Sequence, residues 1–94
     1  MFVLHVEIKP KPSSQAALEK TYLETFLPAI SRREGFVSVN LLRPVQDGGG
    51  YRLSIAFDNL ASQQQWVATD VHENVWPQME NQCAEYSVMY YNAV

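Results

Sequence analysis

Residues 36–58, FVSVNLLRPVQDGGGYRLSIAFD, decide the fold. Phe36 to Arg43 and Tyr51 to Asp58 are built from β-branched, aliphatic and aromatic residues, and PVQDGGG between them is turn material. A connection of that length fits a hairpin, so the two stretches are expected as antiparallel neighbours. What lies on either side of this hairpin then sets the architecture.

On the N-terminal side, FVLHVEIK at 2–9 alternates: Phe2, Leu4, Val6 and Ile8 point one way, Val3, His5, Glu7 and Lys9 the other. This is a strand with one apolar and one mixed face, ended by Pro10 and Pro12. Ser13 or Ser14 can accept a hydrogen bond from the first free amides of a following helix. In that helix Leu18, Tyr22, Phe26 and Ile30, with Leu23 and Leu27 beside them, recur at three- and four-residue spacing and form a stripe that must lie on something. Pro28 removes the amide that would bond to the Glu24 carbonyl, which predicts a kink or break near Leu27. Arg32 and Arg33 suit the negative end of the helix, and Gly35 suits its left-handed closing residue.

On the C-terminal side, Asn59 is a cap for a second helix running through Trp66 toward Thr69. Pro77 is acceptable in the first turn of a new helical piece and poor in the middle of an old one, so a break is expected between Asp70 and Trp76. Tyr86 to Asn92, YSVMYYN, is a last strand with β-formers on both faces. The order strand, helix, strand, strand, helix, strand is the ferredoxin-like βαββαβ arrangement, an α+β fold with both helices on one face of a four-stranded antiparallel sheet. Yet the second strand carries Val37, Val39 and Leu41 on one side and Phe36 and Leu42 on the other, and the last carries apolar residues on both. A sheet with one wet face alternates more cleanly. A second copy packed about a two-fold axis would cover the far face, so a homodimer through the sheets is expected.

Composition narrows the function classes. The 94 residues form one domain, 1–94, with 47% hydrophobic and 12% aromatic residues, enough for a folded core. A formal charge of -3 and scattered basic residues, with Arg32-Arg33 the only adjacent pair, argue against nucleic acid as a partner. No apolar run approaches the roughly 18 residues of a membrane span. The lone Cys83 makes no internal disulfide, no signal sequence opens the chain, and a cytoplasmic protein is the default. There is no HExxH, no CxxC and no phosphate-cradling glycine motif before a helix, and no metal site is spelled out. Cys83 has no neighbouring cation to lower its pKa and reads as structural.

The βαββαβ order, the junction FDNLASQQQW at 57–66 and the downstream DVHENVWPQ at 70–78 resemble the antibiotic biosynthesis monooxygenase superfamily of dimeric α+β barrel proteins. The resemblance spans the whole chain. It implies a pocket in each subunit between helices and sheet. Some members oxidise polycyclic phenols or anthrones with oxygen and no metal or flavin, others degrade haem. Here the resemblance implies no cofactor, and a small apolar or aromatic molecule as partner.

Trp66 falls where the resemblance places an aromatic or histidine on the second helix, as a pocket wall whose indole stacks on a flat ring. The alternative is a core tryptophan. His72 is the best proton mover in the chain, and a neutral imidazole suits the substrate deprotonation that cofactor-free oxygenation needs. On one continuous helix it would sit about 240° from Trp66, so the two converge only if the helix breaks. Trp76, four residues from His72, would cap the pocket or anchor the fold. His5 and Glu7 share a strand face about 7 Å apart, lining either the pocket or the partner interface according to which face meets the helices. Asn40 poses the same question, and Tyr22 is a further lining candidate. Haem-degrading members resemble one another in an Asn on the first strand and a Trp and His about ten residues apart on the second helix. This chain has Trp76 ten residues after Trp66, and His5 or Glu7 where the Asn would fall, which argues against haem. Two readings stand: a small oxygenase with Trp66 and His72 as catalytic residues, or a dimeric non-catalytic module that binds an apolar metabolite or serves as an interaction scaffold.

Overall fold

The computed structural model spans residues 1–94. Strand β1, Phe2–Pro10, leads into helix α1, Gln15–Thr21, a π-helical turn, Tyr22–Phe26, and helix α2, Leu27–Ile30. Strands β2, Phe36–Leu42, and β3, Tyr51–Phe57, form the expected hairpin. Helices α3, Leu60–Val67, and α4, Asp70–Glu80, then precede strand β4, Cys83–Asn92. The sheet order is β2-β3-β1-β4 with every pairing antiparallel, so the chain has the ferredoxin-like topology.

The alternation of β1 decides which face is covered. Phe2, Leu4, Val6 and Ile8 are buried beneath the helices together with Leu53, Ile55 and Phe57 of β3. From above, Leu18, Tyr22, Phe26, Ile30, Trp66, Val75 and Met79 close the same core. Each such large apolar side chain contributes about 1.5–3 kcal/mol when fully buried. The mixed face of β1 lies on the other side of the sheet, where His5 is paired with Ser54 and Met89.

Pro28 acts one turn earlier than a simple kink would. The amide of Leu27 bonds to the carbonyl of Tyr22, five residues back, so the helix widens into a π turn over 22–26 and continues as α2. Such turns recur at functional sites. Gly35 has φ +79°, and its carbonyl accepts a 2.8 Å bond from the Asp58 amide; a Cβ there would stand 2.3 Å from the Ser62 hydroxyl oxygen, which leaves glycine as the residue that fits.

Three local expectations are corrected. Ser14 is the cap of α1, but through its backbone carbonyl, which accepts from Leu18 at 2.8 Å, and its side chain makes no cap bond. The break in the second helical segment falls at Ala68 and Thr69, before Asp70, because Thr69 starts α4 as a side-chain cap. Pro77 accordingly sits inside α4 instead of at its first turn, on an exposed position where the carbonyl it leaves unbonded is not sealed in the core.

Candidate active site

Between the helices and the sheet lies an apolar cavity of about 210 Å³. Its floor is Leu4, Val6, Leu53, Ile55 and Phe57, and its roof comes from the π turn, α3 and α4. The inward-facing residues of the edge strand β4, Tyr86, Val88 and Tyr90, stay 38–59% exposed, so the cavity opens along β4.

Five rings line it in a continuous chain of edge contacts. His72 stands against Trp66 with centroids 5.1 Å apart and planes at 89°. Trp66 meets Phe26 at 6.2 Å and 78°, Phe26 meets Trp76 at 6.4 Å and 66°, and Trp76 meets Tyr86 at 5.3 Å and 81°. Edge-to-face pairs at these separations are favourable because the positive ring edge meets the negative face, and they hold each ring in one orientation. The result is an aromatic collar lining the cavity.

Thr69 brings the histidine to the tryptophan. Its hydroxyl donates to the Trp66 carbonyl at 2.7 Å, ending α3, and accepts from the His72 amide at 3.1 Å, starting α4. The change of direction replaces the wide angle of a continuous helix with direct ring contact. His72 is half-buried, and burial holds its pKa below the ordinary 6.5, opposed in part by the charge of Glu73. Its imidazole is therefore neutral at physiological pH, the form that accepts a proton. Tyr86 is fixed by a 2.7 Å bond from its hydroxyl to Glu80, which also raises its pKa and keeps it protonated.

Of the sequence candidates, Trp66, His72 and Trp76 line this one cavity. Four do not reach it. His5 lies on the opposite sheet face, its ring 5.1 Å from Tyr91, and Glu7 on that face is paired with Arg52. Asn40 is exposed there beside Ser54, and the row Asn40, Ser54, His5, Met89 crosses the sheet by direct pairing. Tyr22 points toward β2, with its hydroxyl 3.4 Å from the Val39 carbonyl, in a separate depression with Glu19 and Arg43. The alternation of β1 is the physical reason: its apolar half had to face the helices, which turned His5 and Glu7 outward.

Phe26, Tyr86 and Gln63 also line the cavity, and sequence reasoning does not single them out as site residues. Phe26 belongs to the core stripe, and the signal that sets it apart is Pro28, whose missing amide goes with the π turn. Gln63 is one of three successive glutamines, and it alone stands three residues before Trp66, on the same side of the helix. Cys83 is buried, with its sulfur 3.4 Å from the Met79 carbonyl, and burial pushes its thiol pKa up, so it is inert. No three His, Cys, Asp or Glu side chains converge as a metal site. A larger, more open cleft of about 540 Å³ lies at the hairpin end of the sheet, but Arg52 there is already paired with Glu7, and of the collar only Tyr86 reaches it.

A four-stranded antiparallel sheet under one layer of helices, with an aromatic-lined cavity between, defines an α+β protein of the ferredoxin-like class. The chain belongs to the antibiotic biosynthesis monooxygenase family, whose sequence profile matches residues 1–76, from β1 through Trp76. Among curated proteins, none matches. Solved structures share the fold at low identity. A protein assigned to the antibiotic biosynthesis monooxygenases from Caulobacter crescentus is 19% identical with a TM-score of 0.85, over 99% of this chain and 89% of that one. Another from Nitrosomonas europaea is 17% identical with a TM-score of 0.85, over 100% and 99%. A single-site mutant of MhuD, solved with two manganese protoporphyrin IX molecules bound per active site, is 18% identical with a TM-score of 0.77, over 100% and 95%. No helix is long and apolar enough to cross a membrane.

Proposed function

We propose that the protein is a cofactor-independent monooxygenase of the cytoplasm, acting as a homodimer on a small apolar aromatic or quinone-type compound held in the aromatic cavity. The observation that carries this reading is the edge-on contact of His72 and Trp66 in one open cavity. A flat ring slides in past β4 and lies against the collar. His72, neutral and facing the cavity, takes a proton from the substrate, leaving an electron-rich anion. The anion reduces oxygen directly. One oxygen atom joins the substrate carbon and the other leaves as water, so that an anthrone CH₂, or the ring C–H opposite a phenol hydroxyl, becomes a carbonyl and four electrons pass to O₂. The apolar walls keep bulk water from quenching the anion, and Trp66 orients the ring.

The porphyrin bound by the MhuD mutant is not the ligand proposed here. A cavity of about 210 Å³ is small for a macrocycle, and neither His5 nor Glu7 reaches it.

Oxygen uptake by the purified protein tests the reading, against anthrones, hydroquinones, catechols and naphthols, with His72→Ala and Trp66→Phe beside the wild type. Uptake that collapses in His72→Ala while that variant keeps its fold is the expected result. Uptake unchanged in both variants removes the two residues from the mechanism, and no uptake with any compound favours a non-catalytic binding module of the same fold.

A further inference from the structure

The aromatic collar ends at the surface on a tyrosine that has its own base. Tyr86 is 40% exposed, and its ring meets that of Trp76, a wall of the cavity, with centroids 5.3 Å apart and planes at 81°. Its hydroxyl donates to a carboxylate oxygen of Glu80 at 2.7 Å. Glu80 enters none of the three ion pairs of the protein, so no lysine or arginine competes for its charge.

The other four tyrosines lack this combination. The Tyr51 hydroxyl also donates to a carboxylate, but Arg43 grips that carboxylate, Glu19, and helps to hold its pKa at about 2, which makes it a poor proton acceptor. Tyr22 stacks on Phe26 with its hydroxyl toward a backbone carbonyl, Tyr90 stacks on Phe2, and Tyr91 lies against His5. Tyr86 alone joins an indole on one side to a free carboxylate on the other. Indole and phenol are among the side chains most easily oxidised by one electron, and tunnelling between rings in edge contact is fast because it falls off exponentially with distance. A phenol that loses an electron becomes a strong acid, so its oxidation is easy where a base already accepts from the hydroxyl.

We propose that Trp76 and Tyr86 form a one-electron relay from the cavity wall to the surface, with Glu80 as the base that takes the phenol proton. The oxidant is an oxygen-centred radical formed in the cavity, which gains one electron and becomes its anion. Trp76 loses that electron and then its ring N–H proton to water. Tyr86 next gives an electron to the indole, which takes a proton back from water, while the phenol proton passes to Glu80. The tyrosyl radical left at the surface is quenched by a dissolved thiol, which gives up one hydrogen atom and becomes a thiyl radical. A stray oxidising equivalent thus leaves the cavity without being spent on His72 or Trp66. The relay rests on the oxygenase reading for the source of the oxidant, and the transfer itself rests on the ring contact and the hydrogen bond.

Pulse radiolysis tests it. The azidyl radical oxidises exposed indole in preference to phenol and is reduced to azide; Trp66, 3% exposed, is shielded from it, so the radical starts on Trp76. In wild type the visible absorption of the tryptophyl radical is expected to decay as that of a tyrosyl radical grows, at one first-order rate that does not change with protein concentration. Tyr86→Phe is expected to lose this phase, and Glu80→Gln to slow it about tenfold or more, because an amide is a far weaker base than a carboxylate. Both changes fall on exposed groups and leave the core intact. Tyr51→Phe, which removes the other carboxylate-bound phenol, keeps the wild-type rate. No tyrosyl growth in wild type, a rate proportional to protein concentration, a phase that persists in Tyr86→Phe or is lost in Tyr51→Phe, or an unchanged rate in Glu80→Gln each overturns the proposal. No substrate turns over in this experiment, so a protein that takes up no oxygen can still show the relay, and loss of the relay leaves the oxygenase reading to its own test.

Discussion

The imidazole of His72 stands edge-on to the indole of Trp66, 5.1 Å between centroids, although an unbroken helix would have turned the two apart. The join is a single hydroxyl, that of Thr69, bonded to the Trp66 carbonyl on one side and the His72 amide on the other. Replacing Thr69 by Ala removes both bonds. The loss of the cap alone costs about 1 kcal/mol of stability. Turnover is expected to fall further than stability predicts, because α4 is no longer pinned in the direction that aims His72, and Thr69→Ser restores both. Urea melts beside oxygen uptake check this; equal activity in Thr69→Ala and wild type would show that the cap does not position the histidine.

Burial holds the pKa of His72 below its ordinary 6.5, and this has two pH signatures. Below 6.5 the unfolded chain binds a proton that the folded chain does not yet accept, so stability is lost as pH falls from 6.5 through the lower folded value. Above 6.5 both states are neutral and the contribution is constant. His72→Gln flattens this part of the stability profile. If His72 is the base, the rate also falls through that lower pKa and is level at neutral pH. A rate that follows an ordinary histidine pKa, or is flat throughout in the wild type, removes His72 from proton transfer.

Phe26 is the keystone of the collar, touching both tryptophans edge-on from the π turn while 2% exposed. Phe26→Ala is expected to cost about 3–5 kcal/mol, through lost burial and the void beneath it. Phe26→Leu keeps most of that volume and costs less, but it removes the ring edges that orient Trp66 and Trp76. The near-ultraviolet circular dichroism of the tryptophans should therefore weaken in Phe26→Leu even at temperatures where it is fully folded. Unchanged tryptophan dichroism would mean that the two indoles are held without it.

The fold was legible in the sequence because its signals are local and mutually consistent. The alternation of 2–9, the stripe from Leu18 to Ile30 and the loop PVQDGGG each named an element, and together they left one topology. The site was legible only in part. Trp66, His72 and Trp76 share a segment, so finding them needed only the break that a proline suggested, although Thr69 and not Pro77 makes it. The facing of His5, Glu7 and Asn40 depends on which half of β1 the helices cover, and a dimer that also buries the far face leaves both options open in the sequence. Gln63 and Tyr86 were hidden because the cavity is assembled from elements far apart in the chain, and the spacing of Gln63 to Trp66 is a weak mark in a run of three glutamines.

Glu19 ties α1 to the hairpin. Arg43 donates to both of its carboxylate oxygens and the Tyr51 hydroxyl to one, and these bonds hold its pKa at about 2, well below 4.5. A lowered carboxylate pKa means stability that is present above 4.5 and lost as pH falls toward 2. Arg43 is exposed, so solvent and salt screen much of the pairing and the effect is modest at neutral pH. Acid unfolding of Glu19→Gln should lose the component between those two values, while its melting temperature near neutrality drops only slightly. A wild-type acid transition that Glu19→Gln leaves unmoved would place the titrating group elsewhere.

The far face of the sheet bears on assembly. Met89, 58% exposed, is paired with His5 near its centre, and Tyr91 and Leu42 on the same face are 47% and 50% exposed. Apolar groups set among His5, Asn40 and Ser54 on a flat sheet suit burial against an identical sheet, and a stable contact of that kind buries roughly 1,000 Å² or more. Met89 contributes nothing to the core beneath the helices. Met89→Lys should thus leave the fold and its melting in dilute monomeric form unchanged while putting two like charges near the two-fold axis, shifting a dimer toward monomer. Sedimentation equilibrium at micromolar concentration reads the difference. A wild-type protein that is monomeric there refutes the sheet-to-sheet dimer, and a dimer that survives Met89→Lys must be built through another surface, such as the open β4 edge, where Tyr86, Val88 and Tyr90 are also exposed.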